Sequence, residues 1–346
     1  MKTNKLYLTI FALLMAVGAY AQSSNKEPFF TKDFSETSLN ALKVQTSGGS
    51  ITVEGTRGSG VRVEMYVQAN NWNDRDITDK EIEDRLDLYD ITIRREGNMV
   101  VALAKPKNSN NMNWKKGLSI AFKVFTPRTI TTDLKTSGGS IRLASLTGEQ
   151  NFATSGGSIH VNDLKGTIRG RTSGGSIEAN NCSDDVDLTT SGGSIKAEGM
   201  VGNIRLITSG GSISLAELNG KIKASTSGGG VRADGIRGDL DASTSGGSIR
   251  MKNLAASVKA STSAGSIEAD FAQLGEFVSL TTSSGSVRVN MPLNKGLDLD
   301  LRGNKVAIDL KNFDGRMDKD RVQGSLNGGG IPIKLTASSG SVYVNQ

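Results

Sequence analysis

Between residues 136 and 290 the apolar and polar positions follow a fixed beat. The string T-S-G-G-S-I opens at Thr136, Thr154, Thr172, Thr190, Thr208 and Thr244, and variants open at Thr226 (T-S-G-G-G-V) and Thr262 (T-S-A-G-S-I), each 18 residues from the last. T-S-S-G-S-V follows at Thr282 after a 20-residue interval; a first copy stands apart at Thr46 and a last, A-S-S-G-S-V, at Ala337. Fixed periods of this size mean a solenoid or an array. With the threonine as position zero, position five is Ile141, Ile159, Ile177, Ile195, Ile213, Val231, Ile249 and Ile267. Position seven is apolar in the same copies, and positions fourteen and sixteen and the next threonine alternate with polar neighbours. Period-two alternation predicts strands with one buried face; helical spacing is absent.

Each unit therefore reads as two short strands and two turns. One turn is the glycine pair, Gly138–Gly139, Gly156–Gly157 and their successors, where positive φ is expected. The other is expected around position twelve, at Gly148, Gly166, Gly202, Gly220 and Gly238. So small a unit cannot bury its apolar face alone. Stacked in register on copies of itself it can, each backbone amide pairing with the coil above or below. The fold class predicted is all-β, a parallel β-solenoid of 18-residue coils, right-handed by the crossover preference of parallel strands. A left-handed hexapeptide helix would need apolar residues at position eleven, which holds Thr147, Lys165, Ser183, Val201, Asn219 and Arg237. A calcium β-roll would need aspartate after the glycines, where serine stands. Stacking also predicts columns of like residues: hydroxyls exchanging hydrogen bonds along the stack, and outward charges of opposite sign side by side, each exposed pair worth below roughly 1 kcal/mol.

The flanks break the period. Residues 22–38 read as a linker. Residues 39–135 form an N-terminal β segment with a helix insertion. It begins with one coil, L-K-V-Q-T-S-G-G-S-I-T-V-E-G, and has longer strands at V-R-V-E-M-Y-V-Q-A and I-T-I-R-R-E-G-N-M-V-V-A-L-A-K-P. Between those strands Thr78 and Glu81 make a capping box, and Ile82, Leu86 and Tyr89 mark one face of a short helix near 78–90. The regular coils occupy 136–290. Residues 291–346 read as a loop, a hairpin and a final strand that covers the last open edge.

The large-apolar shortfall fits such thin coils: hydrophobic residues are 36%, aromatics 5%, with 42 glycines and 5 prolines. Lys2 and Lys5, the apolar run Leu6 to Val17 and Ala19-Tyr20-Ala21 have the layout of a signal peptide over residues 1–21, which predicts export to the periplasm, outer surface or extracellular space. No later apolar stretch has membrane length, so no transmembrane segment is expected after cleavage. The net charge of +6 is modest and does not suggest a nucleic-acid partner. Cys182 is the single cysteine, so no internal disulfide can form.

The strand–helix–strand segment near 61–104, the V-F-T-P entry at 124–127 and the T-S-x-G-x-I array together resemble the bacterial secreted "putative adhesin" family of β-strand repeat proteins, a domain of unknown function. Members often carry Asn-Gly-Asp where this chain has Gly-Gly-Ser, a departure that leaves the fold untouched and removes an acidic column. The resemblance implies a β-solenoid outside the cell.

The sequence assembles no catalytic constellation, and no catalytic residue, metal ligand set or cofactor is predicted. His160, the only histidine, occupies outward position six between Arg142 and Glu178, and reads as surface decoration. Asp184, Asp185 and Asp187 read as an acidic loop. Cys182 takes a position that is Leu or Met in other coils and reads as buried. S-G-G-S lacks the lysine of a phosphate loop. Trp72, in N-N-W-N-D, and Trp114, in N-S-N-N-M-N-W-K-K, are the weak binding candidates, because aromatics among amides stack on sugar rings. The function expected is a non-enzymatic, exported binding or structural module at the cell envelope, with a cell-surface glycan or envelope protein as partner. The alternative is a carbohydrate-active β-helix enzyme, a lyase or hydrolase.

Overall fold

Alternating burial turns each repeat into strands that stack on their own copies. In the computed structural model, residues 27–70, 78–108 and 117–346 are described, and they form 27 strands and one α-helix. Ile159–Thr172 lies parallel to Ile141–Thr154, with Ile159 opposite Ile141 and Thr172 opposite Thr154. The same register runs through Ile177–Asn180 and Ser183–Thr190 and on to Ile249–Thr262. Position five is buried in every coil, as are position ten (Leu146, Leu164, Cys182, Met200) and position fourteen (Ile168, Val186, Ile204, Ile222). The coil is a β-solenoid.

The second turn is two bends rather than one. Position nine is left-handed throughout, with φ of 58° at Ser145, 54° at Asp163, 53° at Asn181 and Glu217, and 51° at Asn253. Position twelve is left-handed again, with φ 128° at Gly202 and 125° at Gly220. The position-ten side chain tucks into the core between them. Asp184 takes the position-twelve place at φ 85°, a conformation that costs a residue with a Cβ. The segment expected to be an acidic loop is therefore a strand, Ser183–Thr190, entered through one strained residue.

The glycine pair overturns its expected reason. Gly138, Gly139 and their copies are not among the positive-φ residues. The second glycine is required by stacking: a Cβ on Gly193 would run into the carbonyl of Gly175, and one on Gly175 into that of Gly157. A Cβ on the first glycine would have more room, 3.4 Å from Gly174 O in the case of Gly192, tightening to 3.2 Å from Gly210 O at Gly228. Accordingly Ala264, Ser284 and Ser339 stand at the first place, while the second is glycine in every copy.

The threonines secure this corner. Thr208 Oγ1 donates to Gly193 O at 2.7 Å and accepts from Gly211 N–H at 3.3 Å. Thr154, Thr172, Thr190 and Thr262 repeat the pair of bonds, and Thr136 bonds the first copy's Gly49. The hydroxyl ladder expected between threonines is thus a threonine-to-glycine ladder. The position-four serines do couple along the stack, Ser176 Oγ accepting from Ser194 N–H and Ser194 Oγ from Ser212 N–H.

Both ends are interleaved. The first coil places Thr46 opposite Thr136 and Ile51 opposite Ile141, in register with the array although far from it in sequence. Its other side pairs in parallel with Met99–Pro106 and Leu118–Pro127. Antiparallel strands then close that end: Val61–Ala69 on Leu118–Pro127, and Tyr89–Glu96 on Met99–Pro106. Phe30–Phe34, inside the expected linker, is the edge strand on Val61–Ala69, because Phe34 has a core site to fill. Lys32 Nζ bridges the two edges by donating to Ile93 O at 2.9 Å.

At the other end, Ile331–Ala337 and Ser341–Asn345 lie between Ile267–Asn290 and Leu297–Ala307. The final strand is therefore sandwiched, not outermost as expected; the hairpin Phe313–Met317 with Arg321–Leu326 forms the outer layer. The 20-residue interval is absorbed as a bulge, where the buried Ser257 hydroxyl accepts from Glu276 N–H at 3.0 Å.

The helix is Asp79–Leu86, with Thr78 as N-cap accepting from Glu81 N–H at 3.3 Å. It stops short of the expected range. Tyr89 belongs instead to the next strand, where its buried hydroxyl accepts from Leu118 N–H at 2.8 Å and donates to Leu118 O at 3.2 Å.

Three substitutions test this geometry by denaturant unfolding. Gly193→Ala is expected to cost at least about 2 kcal/mol while Gly192→Ala stays within about 1 kcal/mol; equal effects would return the pair to a conformational role. Thr208→Val keeps the shape but leaves a buried carbonyl and amide unpaired, for an expected loss of ~1–3 kcal/mol. Asp184→Gly is expected to raise stability by about 1 kcal/mol through relief of the left-handed strain.

Candidate functional site

The in-register stack fixes where outward side chains go. Positions five and seven point inward, so positions six and eight point outward, about 7 Å apart along each strand. Eleven successive parallel strands, from Ile51–Thr56 to Ser341–Asn345, carry these two columns. At ~4.8 Å per strand the columns extend on the order of 50 Å. They wall a shallow trough whose floor is strand backbone.

The trough deepens twice. One depression of about 300 Å³ is lined by Glu54, Arg142, His160, Asn162, Glu178 and Asn180, among others. His160 Nδ1 lies 3.4 Å from Glu178 Oε2, and Lys196 Nζ 3.7 Å from Glu178 Oε1. The Oδ1 atom of Asn180 is buried and unpartnered. The second depression, about 280 Å³, is lined by Arg250, Lys252, Glu268, Asp270, Arg288 and Asn290 with three neighbours. Arg250 Nε is 3.3 Å from Glu268 Oε2, and the Arg288 guanidinium sits over the Tyr343 ring at 5.3 Å.

This charge order bears on chemistry. In the position-six column each acid lies between bases: Glu178 between His160 and Lys196, Glu268 between Arg250 and Arg288. Glycoside hydrolysis uses two carboxyl groups flanking one bond. Here an acid's neighbours in its own column are cations and an imidazole, and each depression also holds a second carboxyl from the other column, Glu54 with Glu178 and Asp270 with Glu268. Among the described residues no group of three or more His, Cys, Asp or Glu is placed to hold a metal ion, and no helix is long and apolar enough to cross a membrane.

The residues singled out from sequence divide plainly. Thr136, Gly139, Ile141 and their copies build the corner and the core, away from this face. Cys182 is buried as expected, and burial pushes its thiol up to about 11, away from nucleophilic use. Asp187 pairs with Arg205 at 3.1 Å on the next coil, and Asp185 accepts from Asn203 at 3.0 Å, so these acids are tied into the stack. His160 is brought together with Arg142 and Glu178 in the first depression. Trp72 and Trp114 lie outside the described residues. The second depression was missed; its signal was the run of long polar side chains at aligned positions six and eight, Arg232, Asp234, Arg250, Lys252, Glu268 and Asp270.

No curated protein matches the chain. Among solved structures, it is similar to "a putative cell adhesion protein" from Clostridium sporogenes (9% identity, covering 92% of this chain and 100% of that one, TM-score 0.23). It is also similar to "a putative adhesin" from Bacteroides fragilis (15%, 75% and 96%, TM-score 0.28). A third is a "putative lipid binding protein" from Parabacteroides distasonis (15%, 93% and 98%, TM-score 0.33). A family model described as Toastrack DUF4097 matches residues 34–345, and the chain belongs to that family.

Proposed function

We propose that this protein is a non-enzymatic binding module, exported and acting at the cell envelope, that holds a linear glycan along its polar trough. The observation that carries the reading is one in-register face of eleven strands with two polar depressions, the first lined by Arg142, His160 and Glu178 and the second by Arg250, Glu268 and Arg288. A polymer laid along the stack meets donors and acceptors in both depressions, so weak contacts sum as they do in any multivalent interface. Export is supported by the signal-like residues 1–21, and the binding role by the charged and amide side chains that line the two depressions. Trp72 and Trp114 enter as aromatic platforms of the same reading.

The test is a panel of polysaccharides and cell-surface fractions presented to the purified protein. Binding is expected, with no new reducing ends and no unsaturated products; robust cleavage would make the protein a carbohydrate-active enzyme instead. Arg142→Ala at an exposed position with Glu178→Ala at a half-buried outward one is expected to weaken binding roughly tenfold, about 1.4 kcal/mol, with little shift of the melting temperature. Undiminished binding in that variant removes the first depression from the ligand path. Undiminished binding in both Trp72→Ala and Trp114→Ala removes the tryptophans.

A further inference from the structure

At the C-terminal end of the stack the parallel ladder stops abruptly. Lys305, Val306 and Ala307 pair with Ser341, Val342 and Tyr343, and the next residues diverge. Residues 308–310 continue outside any strand and the chain bends at Lys311; Ile308 and Leu310 are half-buried while Asp309 and Lys311 are exposed, a strand's alternation without a strand's partner. Among the described residues, the backbone N–H and C=O groups of Ile308, Asp309, Leu310 and Lys311 make no backbone hydrogen bond. Asp309 and Lys311 join no ion pair among those residues. The divergence opens a cleft of about 770 Å³ between this run and Val344–Gln346. Its apolar wall comes from Leu293, Ile308, Leu310, Leu326 and Val344. The far side is braced: Asn327 Nδ2 donates to Leu293 O at 2.9 Å and to Lys295 O at 3.1 Å, and Asn327 N–H donates to Asn312 O at 3.0 Å. The slot is preformed.

We infer that this cleft is a peptide-binding site that takes an extended segment of a partner protein by strand addition. Alternate residues of the run present unsatisfied backbone donors and acceptors to one edge, and an added strand supplies those in register. The apolar wall takes the partner's inward side chains, so these are aliphatic. Asp309 and Lys311 face the partner's outward side chains, so those are basic opposite Asp309 and acidic opposite Lys311. The segment runs antiparallel, as the outermost strands do at both ends of this solenoid, Phe30–Phe34 on Val61–Ala69 and Phe313–Met317 on Arg321–Leu326. Its pattern, from N- to C-terminus, is acidic–aliphatic–basic–aliphatic. The site is independent of the glycan trough and stands if that reading fails.

The probe is the blocked peptide Thr-Glu-Val-Lys-Val-Thr, titrated into the full-length protein and followed by calorimetry. Saturable one-to-one binding is expected. N-methylation of the two valine amides of the probe, which removes backbone donors and leaves the side chains, is expected to weaken it roughly tenfold or more. The double variant Asp309→Lys with Lys311→Glu, at two exposed positions, is expected to lose the probe and to bind the peptide with Glu and Lys exchanged. Three outcomes overturn the proposal: no binding at millimolar peptide; binding indifferent to both N-methylation and charge exchange; or concentration-dependent dimerisation that the double variant abolishes, which assigns the slot to a second copy. The N-methyl comparison uses the unaltered protein, so it decides the matter even if the variant folds poorly.

Discussion

One contact sets the spacing of everything else: the second glycine of each corner lies against the carbonyl of the same glycine one coil below, too close for a side chain between them. The threonine hydroxyl then ties that carbonyl to the next coil, as Thr190 does to Gly175 and Thr208 to Gly193. A corner packed backbone to backbone holds both flanking strands at ladder distance. The aliphatic columns below them, Ile177, Ile195 and Ile213 among others, meet at the same repeat and stay dry. Loosening one corner therefore opens a hydrogen-bonded edge and a core layer together, and stability here is a property of interfaces between coils.

An array of identical layers has no natural end, and exposed ladder edges invite other chains. The chain solves this at each end by a similar manoeuvre. An early coil and a late coil are slipped one layer inward, and the outermost layer is built from antiparallel strands that no repeat could extend. The solution is less complete at the C-terminal end. The hairpin reaches over one sheet, but Ile308–Lys311 diverges from the other and keeps its backbone groups to itself. An unpaired run persists at little cost where it faces solvent and where charges at alternate positions discourage indiscriminate pairing.

A solenoid of this kind separates structure from recognition. Inward and corner positions are consumed by stacking, so chemistry is left to the outward positions of both strands and to the ends. On the trough face the two acids of the position-six column each sit between basic side chains, Glu178 between His160 and Lys196 and Glu268 between Arg250 and Arg288, while Arg232 lies opposite Arg250. At those two acids the order limits like-charge repulsion between layers about 4.8 Å apart.

Sequence alone determined the strands, their register and most of the core, because an 18-residue period with isoleucine at position five and threonine at position zero admits one stacking in which like meets like. It also determined the helix start, since Thr78 and Glu81 carry a local cap. Other features were beyond it. That the glycine pair serves close approach rather than left-handed backbone depends on the neighbouring coil, which local residues cannot report. The bend at position nine is written in Ser145, Asp163, Asn181, Glu217 and Asn253, whose types vary too much to announce it. Tyr89 left the helix because Leu118, far along the chain, offered its hydroxyl both a donor and an acceptor. The trough and the terminal slot are tertiary decisions of the same kind: their lining residues come from successive coils and from segments that pass out of sequence order, and only stacking brings them to one surface.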